Sequence, residues 1–398
     1  MKTRIAVVTC ARSEYGLDRW IIRALRDDPS FVLQLVVGGA HLVGAWGSTV
    51  REIESDGFEQ YDQVSYCMAS DSAAALTKSI GIAAISIATL FEQSRPNVLL
   101  INGDRYDLLP FVSAALVFHI PVVHIGGGEI TRGAIDNKVR NAISQLADLH
   151  LVSCDAYADN LQRMGIDGSS IRVVGAEGLE NLERLQLYDV AEASRATGLD
   201  MSKPTVLLAF HPATDEPSAT SAEQVDVVLL GMSAIPELQA VVTGPGDDEG
   251  QDCIRAALMS WVDERRGTAV YRESLGSRLF LSVMRWSLAI VGNSSAGIIE
   301  APSLHVPTVN IGRRQEGRLR AGSVLDVPYA TSAIASALRK LLDEADYRAG
   351  LISGQSPFQG GRVSERVVTA IREWWGTNGS PIITRSSKGL YGQYEKGL

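Results

Sequence analysis

Short apolar runs rich in Val, Ile and Leu, bounded by Gly, Asn, Asp or Pro, alternate along this chain with longer stretches in which apolar positions recur every three to four residues. The short runs predict strands over residues 5–10, 32–37, 98–102, 122–125, 149–153 and 171–174. Helical periodicity falls between them, over 15–26, 72–93, 107–118, 136–147 and 156–164. The rhythm pauses in the polar stretch 197–204 and then restarts, with strands predicted over 205–210, 238–243, 268–271, 288–291 and 308–311. A strand-helix alternation of this kind predicts an α/β protein with parallel sheets. Its repetition after a pause predicts two doubly wound, Rossmann-like units, residues 1–177 and 178–363, facing each other across a cleft. A last helix over 364–375 leads into a polar, Gly-, Ser- and Lys-containing tail. That terminal piece, 364–398, is expected to pack back on the first unit, with its end loosely held.

Composition narrows the class. The chain has 398 residues, 45% of them hydrophobic and 21% charged, enough for two or three ordinary cores and too apolar for a disordered chain. Acidic residues outnumber basic ones by 46 to 37, giving a net charge of -9, and no basic block stands out. A nucleic-acid partner is therefore not expected. The first residues read as a strand, without the apolar core and cleavage site of a signal peptide. The apolar stretch 79–90 reads as too short and too polar to span a bilayer, so a soluble, cytoplasmic protein without a membrane partner is expected. Four widely spaced cysteines, Cys10, Cys67, Cys154 and Cys253, form no Cys-x-x-Cys and no metal-type spacing with His. They read as buried free thiols rather than as a disulfide framework or a zinc site, and no metal is expected.

Ligands of doubly wound folds bind at the carboxyl ends of the strands, and the chemically suggestive residues cluster there. After the strand ending at Val291 comes Gly292-Asn293-Ser294-Ser295-Ala296-Gly297, then Glu300. Small residues let the backbone approach an anion, the opening helix offers free N–H groups, and a carboxylate just over a turn later can accept hydrogen bonds from ribose hydroxyls. An ordinary Ser-capped helix is the alternative. After residue 125 comes Gly126-Gly127-Gly128-Glu129, with Asp136 at the mouth of the next helix; two carboxylates near one ligand suit acid-base work. Helix capping alone would also account for Asp136. Asp104, in Gly103-Asp104-Arg105-Tyr106, is a third candidate, with Arg105 as its possible structural partner. His211, after the first strand of the second unit, suits a bridge between diphosphate and sugar, although a lone His in a loop is more often only a hydrogen-bonding group, and Arg12, after the first strand of the chain, suits a phosphate clamp.

Taken together these segments resemble the hydrolysing UDP-N-acetylglucosamine 2-epimerases, bacterial enzymes that open sialic acid and legionaminic acid synthesis. The resemblance runs in order over about residues 4 to 370. It is carried by Gly103-Asp104-Arg105-Tyr106, Gly127-Gly128-Glu129 with Thr131, Gly133 and Asp136, His211-Pro212 with Thr214, and above all residues 292–320. It implies a GT-B type fold, no cofactor, a UDP-linked 2-acetamido sugar as substrate, and a dimeric or tetrameric assembly. It further implies anti elimination of UDP to a 2-acetamidoglycal, followed by syn hydration to the free 2-epimer. By position, Asp104, Glu129 and Asp136 match the catalytic carboxylates and His211 the diphosphate histidine. Asn293, Ser294, Ser295 and Gly297 match the diphosphate loop, Glu300 the ribose ligand, Ser277 and Phe280 the uracil region, and Arg12, Arg314 and Arg318 basic groups near the phosphates.

Four positions depart from the pattern: Arg132 and Asn137 stand where acidic residues are usual, Asn141 where a His is common, and Arg313 where a small or acidic residue is expected. Such changes beside a reacting sugar would alter local charge more than fold. They leave the sugar open, UDP-N-acetylglucosamine or a 2,4-diacetamido analogue. They also keep two alternatives in play, a GT-B glycosyltransferase and a catalytically inactive nucleotide-sugar-binding homologue.

Overall fold

The computed structural model describes residues 2–44, 49–68, 70, 72–214, 219–246 and 248–378; most of the polar tail lies outside the described residues. Among them, strands β1 (Thr3–Thr9), β2 (Phe31–Gly38), β3 (Asp62–Val64), β4 (Val98–Asn102), β5 (Val122–Ile125), β6 (Leu149–Val152) and β7 (Ile171–Val173) form one sheet. Its order is β3-β2-β1-β4-β5-β6-β7. A second sheet, ordered β10-β9-β8-β11-β12-β13, contains β8 (Thr205–Ala209), β9 (Gln239–Thr243), β10 (Ala269–Arg272), β11 (Ala289–Gly292), β12 (Thr308–Ile311) and β13 (Val324–Val327). Every pairing is parallel, for example Ile5 beside Val98 and Gly292 beside Ala209. In both sheets the order reverses next to the first strand, which opens a crevice at its carboxyl end.

Alternation along the strands explains the layering. In β1, Ile5 and Val7 enter one core with the helix Arg12–Asp27, while Ala6 and Val8 enter another with the helices Ala73–Gln93 and Leu109–Val117. In β8, Val206 and Leu208 face one helical layer, Leu207 and Ala209 the other. Both faces of each sheet are thus covered, as parallel sheets require. The final helix, Val363–Asn378, returns to the first core through Val367, Ile371 and Trp374. Its start is held by Ser364, whose N–H and hydroxyl both donate to Glu180 at 2.7 Å.

Some expectations need correction. The three-residue edge strand β3 and the edge strand β13 escape periodicity, because Asp62-Gln63-Val64 and Val324-Leu325-Asp326-Val327 lack an uninterrupted apolar run. The cysteines are free, but only Cys10 is fully buried; Cys67, Cys154 and Cys253 are partly exposed. The helix Ala73–Gln93 has 21 residues and is long and apolar enough, by length and composition alone, to cross a membrane. It matches the helix predicted over 72–93, while the apolar stretch 79–90, read as too short to span a bilayer, covers only part of it. Here Ala75, Ser79, Ala83, Ile87 and Phe91, spaced by four, form a stripe buried against the sheet.

Gly292 shows how tightly the crevice is built. Its φ is +127°, and a Cβ there would lie 2.1 Å from the Ala209 carbonyl oxygen. Gly292→Ala is expected to cost roughly 3 kcal/mol or more from backbone strain plus overpacking. Chemical denaturation of the ligand-free protein measures this; an unchanged midpoint would contradict the geometry.

Candidate active site

Loops at the carboxyl ends of first-sheet strands meet loops from the second sheet. After β4, the Gly103 carbonyl accepts a hydrogen bond from His124 Nε2 at 2.9 Å, while His124 Nδ1 faces the Ser144 hydroxyl at 3.0 Å. Burial lowers the His124 pKa to about 4, so the ring stays neutral and acts as a fixed donor. Arg105 pairs with Asp107 at 3.1 Å and Glu14 at 3.5 Å. It is not the partner of Asp104. That partner is Arg140, on the buried face of the helix Asp136–Leu146, which also donates to the Glu129 carbonyl and the Thr131 hydroxyl, both at 3.0 Å.

The loop after β5 carries Glu129 to an ion pair with Arg318 of the second unit; both side chains are about nine-tenths buried. The same loop presses against the segment after β12. A Cβ on Gly133 would lie 2.2 Å from the Arg313 carbonyl oxygen, Arg132 N–H donates to the Glu316 carbonyl at 2.8 Å, and Ile135 N–H donates to the Thr214 hydroxyl at 3.1 Å. Asp136 is the first residue of its helix. Ile135 holds the cap position and no side chain caps it, so capping does not account for this carboxylate.

On the opposite wall, His211 and Asn293 hold two strand ends together. Asn293 accepts from His211 N–H and donates to its carbonyl, each at 2.8 Å, and is itself fully buried. Arg314 at 3.1 Å and Gln315 at 2.8 Å donate to the Asn293 carbonyl. Asn293 therefore shapes the loop from within rather than facing a ligand. Gly297 likewise faces the sheet: a Cβ would lie 2.7 Å from Thr308 Cγ2, and its amide already bonds the Ser294 carbonyl at 3.2 Å. Ser295 takes the N-cap position of the helix Ala296–Ser303, with Ser294 beside it. His211 Nδ1 accepts from Gly246 N–H at 2.9 Å, which leaves the proton of the neutral ring on Nε2. Burial, with Arg314 and Arg12 nearby, lowers its pKa to about 3. Arg12 crosses between the units to the Glu273 carbonyl at 2.8 Å, and Ser277 lies against Gly16 of the first helix. Phe280 packs, partly buried, with Leu275 and Leu279.

Asp104, Thr131, Ala134, Asp136, Arg140, Ser295, Arg314, Gln315 and Arg318 line one cavity of about 80 Å³ between the units. Its two aspartates are driven apart. Burial alone would raise Asp104, but Arg140, Arg318 and Arg314 overcome it and hold the carboxyl below its ordinary value. Asp136 is pushed up to about 7 by burial and by the negative charges of Asp104 and Asp248, against Arg314 and Arg140. One stays ionised while the other exchanges a proton near neutrality, the separation acid-base chemistry needs. Arg314 and Arg318 each keep a buried Nε–H with no acceptor among the described residues, a donor surplus that suits an anion.

Glu300 lies apart from this cavity. It is buried beside Gly178, and burial with the Glu177 charge raises it to about 7. Glu177, raised by burial to about 7 as well, joins it at the seam between the units. The departures noted in the sequence fall largely outside the cavity: Arg132 and Arg313 are exposed and share Glu316, at 3.9 and 2.8 Å. Asn137 accepts the Thr131 N–H at 2.9 Å and shapes the loop. Sequence reasoning passed over Arg140, Gln315 and Glu177. Only Arg140 carried a signal, as an arginine on the apolar face shared by Val139 and Ile143.

A family model described as UDP-N-acetylglucosamine 2-epimerase matches residues 23–372. The chain is 31% identical to a GDP/UDP-N,N'-diacetylbacillosamine 2-epimerase (hydrolyzing) of Campylobacter jejuni, over 82% of this chain and 84% of that one. It is 32% identical to a UDP-N,N'-diacetylbacillosamine 2-epimerase (hydrolyzing) of Legionella pneumophila, over 92% and 94%. The structure of UDP-GlcNAc 2-epimerase from Neisseria meningitidis bound to UDP-GlcNAc superposes with a TM-score of 0.80 at 17% identity, covering 93% of this chain and all of that one, which shows a common fold.

Removing Arg140 tests the charge arrangement. Breaking a buried ion pair costs roughly 3 kcal/mol or more, so Arg140→Met should lower stability by that order. Because Arg140 holds the Asp104 pKa down, its loss raises that pKa. The acid limb of the pH-rate profile should then move to higher pH, and Arg140→Lys should restore part of the shift. An unmoved acid limb would remove Asp104 as the group that must be ionised.

Proposed function

The chain belongs to the UDP-N-acetylglucosamine 2-epimerase family, and from that premise we propose that it is a hydrolysing 2-epimerase releasing UDP and a free 2-epimeric sugar from a UDP-linked 2-acetamido sugar. The observation that carries this reading is the cavity where Asp104, held ionised, and Asp136, poised near neutrality, face Ser295, Arg314 and Arg318 of the other unit. Proton transfer and anion binding are thereby available in one enclosed volume. The relatives from Campylobacter jejuni and Legionella pneumophila are named for diacetylbacillosamine, which favours a sugar carrying two acetamido groups.

The reaction proceeds in two balanced steps. A carboxylate among Asp104, Glu129 and Asp136 takes the C2 proton, the C–H electrons form the C1–C2 double bond, and the C1–O bond electrons leave with UDP. Water then adds its hydroxyl to C1 and a proton to C2 on the same face, opposite the one the first C2 proton left, giving the inverted centre. That C2 proton is weakly acidic, so departure of the diphosphate must be assisted by groups that stabilise its growing charge. Arg314 and Arg318, the amides at the start of the helix Ala296–Ser303 and the Nε2–H of neutral His211 are suited to it. Glu300 is raised to about 7 and can donate to as well as accept from a ribose hydroxyl. The protein acts on a soluble nucleotide sugar, in the cytoplasm and as a homo-oligomer.

In deuterated water, the protein incubated with UDP-N-acetylglucosamine or UDP-N,N'-diacetylbacillosamine should release UDP and free sugar bearing deuterium at C2. UDP release that needs an added acceptor would make it a transferase instead. Glu129→Gln should bind UDP nearly as the parent does and lose at least about a hundredfold in turnover; full activity would remove Glu129 from the chemistry.

A cavity of about 80 Å³ is far smaller than the roughly 300–1,000 Å³ of sites that enclose ligands of this size. Entry therefore requires the units to part. Solution scattering with and without UDP should differ in radius of gyration, and superimposable profiles would count against such opening.

A further inference from the structure

On the helix Asp136–Leu146, Asp136, Arg140 and Ser144 follow one another at intervals of four, a spacing that puts them on one side of the helix. Each of them serves the acidic groups of the site. Asp136 lines the cavity directly. Arg140 pairs with the Asp104 side chain and donates to the Glu129 carbonyl at 3.0 Å. Ser144, buried one turn further on, faces His124 Nδ1 at 3.0 Å, and His124 Nε2 reaches the Gly103 carbonyl at 2.9 Å. A carbonyl only accepts, so the proton of the neutral ring lies on Nε2, and the Ser144 hydroxyl donates to Nδ1.

Gly103 immediately precedes Asp104, and β5 grips it at both of its polar groups. Its N–H donates to the Ile125 carbonyl at 3.0 Å, while its C=O takes the His124 proton. With a φ of +90° it redirects the chain as it leaves β4, so the direction of Asp104 depends on how this one residue is held. Gly127 leaves room for the relay: a Cβ there would lie 2.9 Å from Ser144 Oγ and 3.3 Å from His124 Nδ1. Unlike Gly126 and Gly128, Gly127 has no positive φ, so the need for glycine at this position is one of space.

Stability alone is a poor account of these polar groups. The other residues of β5 are Val122, Val123 and Ile125, and both His124 and Ser144 are buried. Replacing two partnered polar groups by apolar ones of the same shape is nearly neutral. What the relay adds is geometry, in a reaction where displacing a reacting group by about 1 Å costs on the order of a hundredfold in rate.

We propose that Ser144 and His124 are positioning residues for the 2-epimerase reaction, acting through the Gly103 peptide to aim Asp104, so that one side of the helix Asp136–Leu146 fixes Asp136, Asp104 and Glu129 relative to one another. This role rests on the hydrolysing 2-epimerase reading given above.

Ser144→Ala and Gly127→Ala should each bind UDP as the parent does, because Ser295, Arg314 and Arg318 belong to the other unit, and each should lower kcat at least about tenfold. His124→Leu should lose more, and His124→Gln, whose amide can still donate to Gly103, should recover part of that loss. Burial raises the Asp104 pKa, and Arg140, Arg318 and Arg314 bring it below its ordinary value, with Asp136 the opposing charge. An Asp104 no longer aimed at those arginines titrates higher, so the acid limb of the pH-rate profile should move to higher pH in Ser144→Ala. A merely structural role would lower the denaturation midpoint and leave that limb in place. In protein labelled with 15N-histidine, the ring resonances absent from His124→Gln should be those of a neutral imidazole protonated on Nε2, and Ser144→Ala should shift the Nδ1 signal. Folded Ser144→Ala and His124→Leu proteins with the parental kcat and acid limb, or a His124 ring protonated on Nδ1, would overturn the proposal. A parent protein that releases no UDP from either nucleotide sugar would overturn the functional reading instead, and the ring resonances would still decide whether the relay exists.

Discussion

The ion pair between Glu129 and Arg318 joins the two halves of the molecule at the point where chemistry is expected, and it is almost wholly buried. A buried pair is a poor source of net stability, because desolvating two charges costs about as much as their attraction returns. Its position is fixed by the groups around it. Here Arg140 holds the Glu129 carbonyl and Asp104, and Gln315 lies beside Arg318 at 3.2 Å. The loop after β5 is pressed against the backbone after β12 at Gly133, which holds the two partners together while the units are closed. The rest of the site depends on this contact, since it brings acidic groups from one sheet and basic groups from the other into one enclosure.

That enclosure resolves an apparent conflict with the charge of the whole chain. A net charge of -9 speaks against binding a polyanion. Within the cavity the balance is different: Arg140, Arg314 and Arg318 face Asp104 and a partly protonated Asp136. Part of the acidic excess lines the cavity itself, and more of it, half-buried Glu177 and buried Glu300, lies at the seam and is raised toward neutrality. Total charge describes the surface seen by large partners, whereas a small anion responds to the few groups within a Debye length of it.

Much of the architecture was legible because burial on both sheet faces forces apolar strands and amphipathic helices. Ile5 to Thr9 and Thr205 to Ala209 announce themselves by composition alone. The edge strands β3 and β13 did not, since a strand with one neighbour needs fewer apolar residues, and Asp326 can sit exposed within it. The motif-bearing loops were legible as well: Asp104, Glu129, Asp136, His211, Ser295 and Arg314 all lie at strand ends facing the cleft between the units. Asn293 and Gly297 were read as ligand groups, yet their side of the loop faces the protein interior. A motif shows which residues a loop requires and not which of them point outward.

What the sequence by itself determined was the repeated strand-helix pattern, the family, and the positions after each strand where chemistry could reside, because these follow from hydrophobic period and local backbone needs. Only the tertiary structure decided which charges meet. Arg140, four residues after Asp136, serves Asp104 thirty-six residues earlier, and Arg318 serves Glu129 from the other sheet. Arg132 and Arg313, suspect in the sequence, turn outward to Glu316. Electrostatic roles depend on distance and burial, which a chain acquires only when elements remote in sequence pack together.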